Sequence, residues 1–196
     1  MTDTPHTSIA TDASSPRRVS TAIGHRWPTW FGLAFAALNL ADFQDGRALG
    51  LIVYLAALIY LATAVIGRPT TVWTLFWLSV VAVALLRVFD VDPWPPLVAG
   101  AASVTVVGLV GGLLRQPRLT AAQLPAMLVF GTAVLLALSL PPQLGGYLVA
   151  AALIGHAVQD VVVWRAGKVV ARSMAEFCAV LDFTLGAAII VLSLAS

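Results

Sequence analysis

The side chains best equipped for chemistry stand in two pairs late in the chain, His156 with Asp160 and Cys178 with Asp182, each spaced i,i+4. Residues four apart share one face of a helix. Histidine changes charge near neutral pH, and chains of His and Asp mark proton paths in membrane pumps and transporters. The same four side chains, His156, Asp160, Cys178 and Asp182, are the candidate ligands if a metal is bound, although a single histidine is a sparse set for an intramembrane metal enzyme. A third possibility is a hydrogen-bonded contact that only joins two helices.

Geometry follows from the loop between the pairs. Segments 145–164 and 173–194 are apolar and read as helices, joined by a polar stretch from Arg165 to Arg172. Antiparallel packing about so short a loop puts His156 level with Asp182, and Asp160 level with Cys178. Glu176 falls about 120° around its helix from Asp182. It lies four residues after Arg172, its expected partner.

A second polar group combines Asn39, Asp42 and Asp45 with Arg87, Asp90 and Asp92. An ion pair of Arg87 with Asp42 or with Asp90 would satisfy charges near a membrane surface. The functional alternative is an outer mouth that binds a polar or charged solute.

The elements that must carry these residues are read from hydropathy. Of the 196 residues, 60% are hydrophobic and 10% charged, far from the roughly 25% charge of a soluble domain. Disorder of the whole chain is excluded as well, since it requires low hydrophobicity. The expected fold class is an all-α integral membrane protein with seven transmembrane helices over 28–44, 49–67, 71–89, 96–114, 121–140, 145–164 and 173–194. Proline and glycine punctuate the breaks, as in Gly67-Arg68-Pro69 and Asp92-Pro93-Trp94-Pro95-Pro96. Residues 1–26 contain no apolar run and read as a disordered cytoplasmic tail, leaving 27–196 as the membrane domain. Arg17-Arg18 is not followed by a signal-type hydrophobic region.

Orientation follows from the basic residues. With the N-terminus cytoplasmic and the C-terminus outside, nine arginines and lysines lie inside and two, Arg47 and Arg87, outside. The expected location is the bacterial cytoplasmic membrane. In the fourth span, Gly108 and Gly112 form a G-x-x-x-G spacing, which suits either a homo-oligomer seam or an internal helix contact.

Several classes are excluded. The net charge of +2 is too small to suggest nucleic acid, and one cysteine cannot form an intrachain disulfide. There is no P-loop, H-E-x-x-H or G-x-S-x-G motif. The only lysine, Lys168, precedes the last helix and so cannot carry retinal there. No cofactor and no catalytic residue are expected, and the lipid bilayer is the expected partner. The leading expectation is a small permease or channel-like protein moving a proton, ion or small solute along His156, Asp160, Asp182 and Cys178. The alternatives are a non-catalytic membrane subunit and, third, an intramembrane metalloenzyme.

Overall fold

The computed structural model describes residues 26–41 and 43–195, which are helical with no strand among them. Seven helices follow in order: α1 (Trp27–Leu40), α2 (Gly50–Ile66), α3 (Val72–Val88), α4 (Trp94–Val110), α5 (Gln123–Ser139), α6 (Pro142–Ala166) and α7 (Arg172–Ala195). A one-turn helix, Arg118–Ala121, leads into α5, and 3-10 turns precede α2 and α3. Proline occupies the first turn of α1, α4 and α6, where its missing N–H has no helical partner to lose. At the other end of α6, Gly167 takes a left-handed φ of 60° and donates its N–H to Val163, a stop that a side chain would strain.

Five segments are long and apolar enough to cross a membrane: Gly46–Ile66, Pro69–Val88, Arg118–Ser139, Pro142–Ala166 and Arg172–Ala195. Two expected spans are shorter than the sequence suggested. Helix α1 has 14 residues and α4 has 17, against the roughly 20 of an ordinary span. Asn39 donates to the Phe35 carbonyl, and Asp45 accepts from the Arg47 N–H to start the turn Gly46–Leu49. The expected tail lies outside the described residues except for Arg26.

Helices α6 and α7 form the most extensive pairing, α1 lies against α7, and α5 packs on α2 and α6. Helix α2 is the most deeply buried of the membrane-length segments. Helix α3 leaves Val81, Leu85 and Val88 exposed, and α4 does the same with Val106 and Val107. The glycine pair of α4 does not make one helix face. An added Cβ at Gly108 would stand 2.9 Å from Val65 of α2, which makes this an internal contact. Gly112 lies beyond the helix at φ 76°.

Arg47 ties the chain together before α2. Its guanidinium meets Asp45 at 2.6 Å and donates to the Leu140 carbonyl just past α5 at 3.0 Å. Burial pushes the Asp45 carboxyl up, but the hydrogen bonds from the Arg47 side chain and backbone, with its charge, bring it below the ordinary 3.8. A depressed carboxylate stabilises the fold above its unfolded pKa and loses that effect as pH falls through the folded value. Arg47→Gln is therefore expected to lower thermal stability in detergent by roughly 1–2 kcal/mol at neutral pH. The deficit should shrink below about pH 4 as Asp45 protonates in the parent protein. A deficit that stays constant with pH would dissociate Asp45 from the effect.

Candidate functional site

Helices α6 and α7 bring three ionisable side chains to one place: His156 and Asp160 from α6, and Asp182 from α7, all fully buried. His156 Nδ1 lies 2.8 Å from Asp182 Oδ2 and 3.3 Å from Asp160 Oδ2. Only the first contact has hydrogen-bond geometry. With Asp182 ionised, Nδ1 carries the proton and donates it, because a carboxylate can only accept. The imidazole is held by two rings that stand nearly perpendicular to it. Tyr60 of α2 and Phe130 of α5 each lie 5.2 Å away, centroid to centroid.

The cluster is under-bonded. His156 Nε2 and Asp182 Oδ1 have no hydrogen-bond partner among the described residues, while the Tyr60 hydroxyl faces the Asp160 carboxylate. Tyr60 faces the same group, near Asp160, Cys178 and Asp182. Buried polar atoms usually find partners, so the unpaired His156 Nε2 and Asp182 Oδ1 need an explanation.

The expected levels of the hairpin give one direct contact, and Cys178 lies within electrostatic reach of Asp160. His156 and Asp182 touch, as the short loop and the i,i+4 spacing require. Asp160 approaches His156 on its own helix, while the Cys178 thiol donates to Met174 Sδ at 3.6 Å. Cys178 is not one of the three grouped ligand atoms, which lie within 4.8 Å of one another. Glu176 departs from expectation. It accepts from Thr29 at 2.6 Å and meets Arg26 at 3.5 Å, so its partners come from the start of α1 rather than from Arg172. Helix α1 docks against this side of α7, a contact between distant segments that no local spacing encodes.

Of the second polar group, Asn39 and Arg87 line one cavity of about 560 Å³ between α1, α2, α3 and α7. Tyr60, Cys178 and Asp182 line it as well. Asn39 and Arg87 lie near the ends of α1 and α3, while the other three lie deep on α2 and α7. A cluster of Phe31, Phe35, Trp73, Phe76 and Phe177 packs α1, α3 and α7 together on the side away from Arg87. The Arg87–Asp90 pair does not form among the described residues, because Asp90 is exposed in a left-handed turn at φ 53° just past α3. Asp42 lies outside the described residues, Asp45 belongs to Arg47, and Asp92 accepts from the Trp94 N–H at the start of α4.

Two buried polar residues were missed in the sequence. Tyr60 sits deep within α2 rather than at a helix end, where tyrosine is commonly found, and that position was the available signal. Gln123 is also buried, accepting from Gln159 of α6 at 2.8 Å and donating to the Leu119 carbonyl. No known protein family, curated protein or solved structure matches the chain.

Proposed function

We propose that this chain is an integral membrane protein of seven helices, N-terminus cytoplasmic, that acts as a small permease for a proton, ion or small solute. The bacterial cytoplasmic membrane is the proposed location. Five membrane-length helices and the exposed apolar faces of α3 and α4 support embedding in lipid. The two short helices are accommodated by local bilayer thinning or by flanking residues that reach to the surface.

One observation carries the transport reading. Asp182, which bonds His156 in the buried cluster, also lines the cavity that extends to Asn39 and Arg87. The Asp182 carboxylate is itself fully buried, so exchange of a proton or a ligand with that cavity requires a local side-chain movement, and intramembrane ionisable groups mark such routes. A subunit in which the cluster only glues helices calls for paired atoms, and the unpaired His156 Nε2 and Asp182 Oδ1 weigh against that alternative.

The test is uptake by proteoliposomes under an imposed pH gradient, with a pH-sensitive dye inside and a panel of small solutes outside. Protein-dependent proton or solute flux is expected. A tight vesicle with no flux for any solute, in either gradient direction, would remove the permease reading. External labelling of a cysteine placed at 115–118 would reverse the proposed orientation.

A further inference from the structure

The geometry points to a divalent transition-metal site built from His156 Nδ1 and one carboxylate oxygen each of Asp160 and Asp182. The inference deepens the permease reading by naming a class of cation for the same cluster, but metal binding can be measured without any transport.

Three observations converge. The first is spacing. Metal–ligand bonds of about 2.0–2.1 Å place neighbouring ligand atoms about 2.9–3.4 Å apart, depending on coordination geometry. The two His156–carboxylate separations, 2.8 and 3.3 Å, lie close to that interval. The second is charge. Two ionised aspartates with a protonated histidine leave a net negative charge in a fully buried site, and with a neutral histidine they leave two. Uncompensated buried charge is expensive. A divalent cation with neutral imidazole and two carboxylates sums to zero.

The third observation comes from outside the triad. Tyr60 is 1% exposed, stands on a different helix, and directs its hydroxyl toward the Asp160 carboxylate. It is available as a further oxygen ligand or as a donor to a bound carboxylate. The second oxygen of Asp182 is unpaired. Imidazole with carboxylates suits Zn²⁺, Mn²⁺ or Fe²⁺ better than an all-oxygen cation such as Ca²⁺. Cys178 is left out because its thiol turns to Met174. Asp182, fully buried at the cavity wall, is where a local movement would admit the ion. Arg87, elsewhere on that wall, acts on the rate of a cation's approach more than on its binding, so the test is made at equilibrium.

The protein is purified in detergent, stripped with a chelator, and dialysed against Zn²⁺, Mn²⁺ or Co²⁺, with Ca²⁺ as the contrast. About one transition-metal ion per chain is expected. The Co²⁺ form should show d–d absorption without a thiolate charge-transfer band, and Cys178→Ser should leave that spectrum unchanged. Asp160→Asn and Asp182→Asn should each weaken binding by about tenfold or more, with helical content and elution volume retained. If either variant misfolds, the parent protein's stoichiometry and Co²⁺ spectrum decide alone. Substoichiometric uptake, binding indifferent to both aspartates, or a thiolate band would overturn the site. Metal binding without flux leaves the site and removes the permease, whereas proton flux without metal binding does the reverse.

Discussion

Asp182→Asn is expected to reduce proteoliposome flux to the level of protein-free vesicles while the protein still inserts and purifies as a single species. Asp182 alone among the triad both hydrogen-bonds His156 and lines the cavity. Asparagine keeps its shape, and its carbonyl oxygen still accepts from His156 Nδ1–H. What disappears is the negative charge and the capacity to take up a proton or cation. The stability cost should therefore be modest, roughly 0.6–2 kcal/mol, typical of a weakened intramembrane hydrogen bond. Flux and melting temperature, measured on one preparation, separate the two roles. A structural contact predicts a lower melting temperature with flux intact. A transport role predicts the opposite, and Cys178→Ser, at a thiol that donates to Met174, should change neither strongly.

A large effect on the fold itself is expected at Gly186. This residue lies one turn beyond Asp182 on α7 and lets α6 come close. A Cβ built there would stand 2.8 Å from Ile154 Cγ1 and 3.1 Å from the Ala150 carbonyl oxygen. The backbone oxygen cannot move without shifting α6. Gly186→Ala should lower stability by about 1–3 kcal/mol, the usual range for overpacking. Gly186→Leu should cost more and push α6 from α7, lengthening the His156–Asp182 contact and abolishing flux along with the fold. Gly100 provides the control, since nothing lies within 4 Å of a Cβ at that position. Gly100→Leu should melt like the parent protein. Equal melting of the two leucine variants would show that the α6–α7 seam is not tightly packed.

Much of this protein is decided locally. Scarcity of charge and runs of apolar residues between Pro, Gly and Arg breaks require helices, because a backbone in apolar surroundings must satisfy its own hydrogen bonds. The i,i+4 spacing of His156 with Asp160 and the short loop before α7 determine that Asp182 meets His156, since both are consequences of helical period and equal steps from a turn. Facts that depend on how helices rotate against distant ones were beyond reach. Glu176 met Thr29 and Arg26 rather than Arg172 because α1 docks on α7, a contact spanning 147 residues. Gly108 became an internal contact because Val65 of α2 reaches it, and Gly112 fell outside the helix where α4 ends. Tyr60 joined the histidine only when α2 packed beside α6, and the cavity linking Asp182 with Arg87 exists because α1, α2, α3 and α7 leave space between them. Periodicity selects which face of a helix is polar, whereas the neighbour that face meets is chosen by packing across the whole bundle, where side-chain volume and close backbone approach outweigh any local rule.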